Sequence, residues 1–232
     1  MITGHNLVGG VWESNSNATT YKTINPKTEE ILPSCFDAAS ASQIETAVEA
    51  SAGAFETFAA TSFKTRIAFL KAIQKEIKAN SVEILSAFQA ESALPEGRAS
   101  GELQRTLDQI ERFVELLEEG SFIQATLNTK GLDLRKMLYP IGPIVVFGAS
   151  NFPLAFSTAG GDTISALAAG CPVVVKAHPY HAGTSELVAQ AIHLAIKKSK
   201  VPTEVFSHLG GQSHELGMSL VSHPLVKGVG FT

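Results

Sequence analysis

The chain has 232 residues, is 44% hydrophobic and 17% charged, and carries a formal net charge of −4, which is typical of one large globular domain or two small ones. This mild acidity excludes the basic footprint that nucleic acids or anionic membranes require. The opening MITGHNLVGGVW has no basic region followed by an apolar run, no segment reaches the ~18 apolar residues of a membrane span, and the two cysteines form no disulfide or metal framework, so we expect a cytoplasmic protein.

Residues 1–120 are predicted to contain short strands followed by helices. The segment TYKTINPKTEEILPSCF has turn residues at 25–28 between two strand-like runs, which indicates a hairpin. Apolar residues then recur at helical spacing. Four helices are predicted, from an N-cap at Ser42, after Ser62, from near Ser81 to the break at Pro95, and from about Arg98 to Glu119.

Residues 121–139 are predicted to be extended, with a break at Gly131, and residues 140–232 alternate buried strands with helices. The strands are GPIVVFGA, PVVVKA, TEVFSHLGG and VKGVGFT. The helices are LAFSTAGGDTISALAAG with Pro153 in its first turn, TSELVAQAIHLAIKKS capped by Thr184 or Ser185, and HELGMSLVSH. With right-handed crossovers, this order predicts an α/β fold, a doubly wound, Rossmann-like parallel sheet preceded by a helical N-terminal segment.

The chain stops at Thr232 inside or beside its last predicted strand. A natural domain seldom ends on a strand that nothing covers, so we expect this piece to expose apolar surface and to aggregate.

Three strand ends carry candidate site residues. Asn151 follows the first buried strand, where a side-chain amide can donate to an oxygen that gains charge, although spacing alone favours a helix cap. Lys176 leaves the second strand, where it could meet the ribose or phosphate of a nucleotide or, equally, be a snorkelling surface lysine. The third, HLGGQSHELG, is a glycine-rich turn that could admit a cofactor or simply be a tight connection.

His178 and His181 have the spacing of a metal pair, but no third ligand of a suitable kind is near them in the sequence. We therefore expect no metal site.

Taken in order, the motifs YPIGPIVVFGASNFPL, ALAAGCPVVVKAHP, GG with HELG, and SHPLVKGVGFT resemble the aldehyde dehydrogenase superfamily. SALPEGRASGELQRTLDQIERF is similar to the branch that oxidises α-ketoglutaric semialdehyde (2,5-dioxovalerate) and related fatty aldehydes or semialdehydes. The resemblance covers essentially the whole chain. It implies an NAD(P)-dependent enzyme that oxidises a small-molecule aldehyde to the carboxylate, and a homo-oligomer whose extended segment, 121–139, resembles oligomerisation strands.

The resemblance also implies roles for individual residues. Asn151 matches the amide that holds the oxygen of the thiohemiacetal, and Lys176 matches the lysine of the adenosine ribose. Pro179 stands where many NAD-using relatives have a glutamate that repels a 2′-phosphate, and with His178 beside Lys176 this favours NADP, with NAD left open. The remaining expected cofactor contacts are Phe147, Gly148, Ala149, Ser150, Ser213 (a departure from the family's glycine) and Gly217.

Family members run to about twice this length, and the missing half would carry the nucleophilic Cys and general-base Glu. Neither Cys35 nor Cys171 suits a nucleophile, so this chain alone should be inactive. The alternatives are a truncated, non-catalytic nucleotide-binding fragment, which predicts binding without oxidation, and an acyl-phosphate- or acyl-CoA-linked reductase, against which the ALPEGR stretch argues by resemblance.

Overall fold

The computed structural model describes residues 1–14 and 17–232. Within that part of the chain the strands are β1 (Asn6–Val8), β2 (Val11–Glu13), β3 (Thr20–Ile24), β4 (Ile31–Asp37), β5 (Thr126–Asn128), β6 (Leu134–Lys136), β7 (Ile144–Phe147), β8 (Val173–Lys176), β9 (Phe206–Leu209) and β10 (Gly228–Phe231). The helices are α1 (Ala41–Ala59), α2 (Phe63–Ala79), α3 (Ser81–Ser92), α4 (Glu96–Glu119), α5 (Gly161–Ala169), α6 (Ala182–Lys197) and α7 (His214–Val221).

One sheet of six strands organises the molecule, in the order β10-β7-β8-β9-β1-β2. The four strands β10, β7, β8 and β9 run parallel, in register from Ile144 opposite Val173 to Phe147 opposite Lys176. This confirms the doubly wound parallel sheet. The amino-terminal strands β1 and β2 extend it in the antiparallel sense, which the sequence did not reveal because three-residue strands leave almost no periodic signal.

The strands lack polar alternation because both faces of the sheet are covered. In β8, Val173 and Val175 face a core built with helices α2 to α6, whereas Val174 faces a smaller core built with α1 and α7. Successive side chains of a strand point to opposite faces, so each valine is buried on one side or the other. The helices of the first 120 residues therefore share the core of the sheet, while the division of the chain at residues 120 and 139 stays a prediction.

The hairpin prediction is confirmed, because β3 and β4 pair antiparallel around residues 25–30. The prediction of Ser42 as the cap of the first helix is wrong. Ser40 is the N-cap, since its Oγ accepts the Gln43 backbone N–H at 3.1 Å while the Gln43 side chain accepts the Ser40 N–H at 3.1 Å. This capping box starts the helix two residues earlier, and α4 likewise begins at Glu96, directly after Pro95, rather than at Arg98.

The prediction that a helix starts near Pro153 is also wrong. Residues 150–160 form turns, and α5 begins only at Gly161. The backbone N–H groups of Leu154 and Ala155 donate to the buried carboxylate of Glu102 on α4, at 2.8 and 3.1 Å. Because a side chain from another helix takes these donors, the segment does not need to become helical, and Asn151 caps no helix.

Thr184 and Ser185 are not the caps of α6, which begins at Ala182 after a 3-10 turn at Pro179–His181. The buried carboxylate of Glu91 on α3 accepts the Gly183 and Thr184 N–H groups at 2.8 Å each. The helix is thus capped from outside by another helix, which local sequence cannot indicate. A 3-10 turn at Thr203–Val205 likewise replaces the start of the third predicted strand.

Candidate functional site

The parallel strands define one place where a ligand can enter the sheet. From β7 the chain proceeds to β8 and β9 on one side, and β10 returns to the other side of β7. Connections therefore diverge between β7 and β10, and open α/β sheets bind ligands at the carboxyl ends of the strands beside such a switch point. A cleft of about 850 Å³ lies there.

The cleft gathers all ten residues that the sequence predicted for the site. Its lining includes Phe147, Gly148, Ala149, Ser150, Asn151, Lys176, His178, Pro179, Ser213 and Gly217. The structure thus brings these residues together, while their assignment to cofactor or substrate stays a prediction. Sequence reasoning missed the remaining lining residues, Tyr180, Gln212, His214, Met218, Val221, Val229, Phe231 and Thr232. The only sequence signal for these residues was that each lies near the end of a strand or in the helix that follows it.

Lys176 is the cation of the cleft. It is the last residue of β8, is half-buried, and burial lowers the pKa of its ammonium group from the ordinary value. No carboxylate of the described residues is among the causes of that shift. A half-buried charge that lacks an opposite charge is costly unless a ligand supplies it, so this position suits an anionic or hydroxyl-rich partner.

Two glycines shape the walls of the cleft. A Cβ at Gly148 would lie 2.8 Å from Ser157 Oγ and 3.3 Å from the His178 backbone nitrogen, so a larger residue would push these elements apart. At Gly217 a Cβ would lie 3.4 Å from the Phe147 ring. These close approaches set where the first turn of α7 meets the end of β7.

Burial favours the neutral form of three histidines in this part of the sheet, His178, His181 and His208. Burial first, then the charges of His181 and Lys176, lowers the pKa of His178 to about 4. Burial also lowers the pKa of His181, whose Nε2 lies 2.8 Å from the carbonyl oxygen of Ala149. That carbonyl can only accept, so His181 carries its proton on Nε2 and fixes the loop after β7.

His208 lies deeper, and burial lowers its pKa to about 3. Among the residues that the structure describes, no group of three or more His, Cys, Asp or Glu is arranged to hold a metal ion.

Asn151 lies in an exposed turn between the cleft and α4. The backbone carbonyl oxygen of Asn151 is 3.5 Å from a guanidinium nitrogen of Arg98. Arg98 in turn forms an ion pair with Glu102 at 3.3 Å. Glu102 binds the two backbone N–H groups of Leu154 and Ala155 through its other oxygen. The loop that carries Asn151 is therefore tied to α4 at both ends, and no sequence signal identified Glu102 beforehand.

The two cysteines lie away from the cleft. Both have free thiols; Cys35 is exposed on β4 and Cys171 is buried in the turn before β8. Neither belongs to the lining of the cleft. The reducing compartment inferred from them remains a prediction. Within residues 1–14 and 17–232, no helix combines the length and the apolar character needed to cross a bilayer.

The chain belongs to the aldehyde dehydrogenase family, whose model matches residues 12–232. It is 44% identical to alpha-ketoglutaric semialdehyde dehydrogenase 2 of Azospirillum brasilense, over 100% of this chain and 46% of that protein. It is 40% identical to alpha-ketoglutaric semialdehyde dehydrogenase of Acinetobacter baylyi, over 94% of this chain and 42% of that protein. The chain thus spans about half the length of the curated relatives it matches.

A solved structure shares the fold. The chain superposes on the C291A mutant of aldehyde dehydrogenase C from Pseudomonas syringae, in complex with NAD+ and octanal, with a TM-score of 0.86 and 24% identity. The match covers 97% of this chain and 44% of that one. At this identity the likeness establishes the architecture alone.

Proposed function

We propose that this chain is the cofactor-binding portion of an NAD(P)-dependent dehydrogenase that oxidises a semialdehyde, α-ketoglutaric semialdehyde in the first instance, to the carboxylate. The observation that carries the proposal is the gathering of the ten expected residues in one cleft at the switch point of the sheet. Two relatives at 44% and 40% identity bear the name of that substrate, which supports the choice of aldehyde.

The residues present fit a dinucleotide. The cleft volume of about 850 Å³ falls within the roughly 300–1,000 Å³ typical of ligand sites, and Lys176 offers an uncompensated cation to a ribose or phosphate. The loop at 147–150 would lie beside the nicotinamide. When bound, that group supplies the hydride acceptor for the oxidation. The chain's own part is to bind, to orient, and to meet developing charge at Asn151.

Asn151 would donate its side-chain amide to the aldehyde oxygen as that oxygen becomes an anion during attack by a thiolate from outside this chain. Glu102 and Arg98 hold the backbone of the loop that carries this amide, so the loop needs no reorganisation when the charge appears. Neutral His181, bonded to the Ala149 carbonyl, keeps the same loop in position. These contacts support a fixed backbone position for the proposed oxyanion donor.

The experiment is steady-state oxidation of 2,5-dioxovalerate, followed by nucleotide reduction, with the protein expressed from its complete gene. Asn151→Ala should lower kcat by about 10²–10³, because it removes one oxyanion donor, while cofactor affinity stays the same. Unchanged turnover in that variant would remove Asn151 from the mechanism.

We further propose NADP over NAD, because Pro179 leaves the cleft without a carboxylate beside Lys176. His178, with its pKa lowered to about 4, is neutral at pH 7, so its ring adds hydrogen bonds but no charge to hold a 2′-phosphate. The proposed preference for NADP therefore depends on the charge of Lys176. Comparing kcat/KM for the two cofactors tests it directly.

A non-catalytic nucleotide-binding role is the second candidate, favoured by the position of both cysteines outside the cleft. It predicts that calorimetry detects nucleotide binding to the protein while no aldehyde is oxidised. The oxidation assay above distinguishes the two functions.

We also propose that the protein is a homo-oligomer that assembles through the hairpin β5–β6. Its apolar side chains are unusually exposed, with Leu127 at 69%, Leu132 at 76% and Leu134 at 57%, and large exposed apolar patches mark interaction surfaces. Replacing Leu127 and Leu134 by lysine should reduce the mass measured by light scattering to that of a smaller species. An unchanged mass would contradict this.

A further inference from the structure

The glycine-rich turn at residues 210–213, between β9 and α7, is held by side chains that lie far away in the sequence. The last two residues of the turn line the cleft. Asn6, the first residue of β1, accepts the Gly210 backbone N–H through its side-chain oxygen at 2.7 Å. The side-chain nitrogen of Asn6 donates to the Asp37 carbonyl oxygen and to Gln43 Oε1, at 3.4 Å each, which fixes the end of the amide that faces the turn. The turn thus begins at a contact that spans 204 positions of the sequence.

A second buried side chain holds the next residue of the turn. The phenol oxygen of Tyr21, on β3, accepts the Gly211 N–H at 3.2 Å. The carbonyl oxygen of Gly210 accepts the N–H of Ala39, two residues before α1, at 2.9 Å. All three partners of the turn therefore belong to the first 40 residues, and neither Asn6 nor Tyr21 belongs to the lining of the cleft.

The two glycines make the shape of the turn depend on these contacts. Gly211 has a φ of +145°, in the region that favours glycine, and a Cβ there would lie 2.6 Å from Leu216 Cδ1. A Cβ at Gly210 would lie 2.8 Å from the Tyr21 phenol oxygen. Glycine has more conformational freedom than any other residue when nothing holds it. Without its partners, this turn would therefore leave the conformation that packs against α7.

We propose that Asn6 and Tyr21 are positioning residues for the nucleotide, because they hold the turn so that the start of α7 faces the cofactor. This inference rests on the proposed function. Ser213 is the N-cap of α7, with its Oγ accepting the Leu216 N–H at 3.2 Å, so a shift of the turn moves the start of the helix with it. When the binding geometry is populated only part of the time, the observed affinity falls by that fraction. Loss of either contact should therefore weaken cofactor binding and leave the chemical step unchanged.

The test is calorimetry with NADP+ and NAD+, together with steady-state oxidation of 2,5-dioxovalerate, on the protein expressed from its complete gene. Asn6→Ala and Tyr21→Phe should each raise the Kd and the KM of the preferred cofactor about 3- to 10-fold, the effect of losing one hydrogen bond. The kcat at saturating cofactor should stay nearly unchanged. Ser207→Ala is the matched control, because it removes a buried hydrogen bond of 3.1 Å from the Gly9 N–H, which joins β9 to the residue after β1 without touching the turn. This control should leave both constants unchanged.

Tyr21→Phe keeps the buried ring and removes only the acceptor of the Gly211 N–H, so this variant decides the question even if Asn6→Ala does not fold. Unchanged nucleotide affinity in Tyr21→Phe, an equal loss of affinity in Ser207→Ala, or a loss of kcat in place of affinity would each overturn the inference and leave the proposed function intact. If the wild-type protein binds neither NADP+ nor NAD+, the proposed function fails and this inference fails with it.

Discussion

Glu102→Ala should destabilise the protein by about 3–5 kcal/mol. Glu102 is 3% exposed, and its carboxylate accepts the Leu154 and Ala155 N–H groups, at 2.8 and 3.1 Å. A hydrogen bond to a charged group contributes about 1.5–3 kcal/mol, and truncation leaves both N–H groups buried without an acceptor. The pair with Arg98 adds little, because the side chain of Arg98 is 41% exposed.

Urea unfolding of the purified protein measures this loss, and hydrogen exchange at the Leu154 and Ala155 amides locates it. Glu102→Gln is the informative companion, since one amide oxygen can still accept both N–H groups, and we expect a cost of only about 1 kcal/mol. Glu115→Ala, on an exposed face of the same helix, is the control. The inference that Glu102 holds the loop at Leu154 and Ala155 would be wrong in either of two cases: if the free energy of unfolding of Glu102→Ala stayed within about 0.5 kcal/mol of wild type, or if exchange at the two amides did not accelerate.

Three further predictions concern the cleft and the histidines. Lys176→Gln should weaken nucleotide binding about tenfold or more, because it removes a half-buried cation, and calorimetry with NADP+ measures it. Pro179→Glu should lower the NADP-over-NAD ratio of kcat/KM about tenfold through repulsion of the 2′-phosphate; an unchanged ratio would end the argument from this position. His208, with a folded pKa of about 3 against an ordinary 6.5, binds its proton in the unfolded state first. The stability that His208 contributes is therefore complete above pH 6.5 and falls by about 1.4 kcal/mol per pH unit between there and pH 3, and His208→Gln should reduce the slope of stability against pH by that amount in urea titrations.

The sequence was sufficient for the parts of the fold that repeat a strong local pattern. Runs such as PVVVKA predicted strands buried on both faces, and the structure places Val173 and Val174 in separate cores. The location of the candidate site was predictable as well, because residues at the carboxyl ends of parallel strands must meet at one edge of the sheet.

What local pattern could not predict is every feature supplied by a distant side chain. Glu91 caps α6 across 92 and 93 residues of sequence, and Glu102 binds Leu154 and Ala155 across 52 and 53. Both carboxylates replace a cap or a helical turn that a local interpretation would assign to neighbouring residues.

The clamp from Glu102 to residues 154 and 155 also constrains how such proteins can be recombined. A crossover placed in the extended segment 121–139, the natural place to join halves of two relatives, would take α4 from one parent and the Asn151 loop from the other. Chimeras that inherit a carboxylate at position 102 should keep the loop in place, and those that do not should lose it even though every residue lining the cleft comes from a single parent.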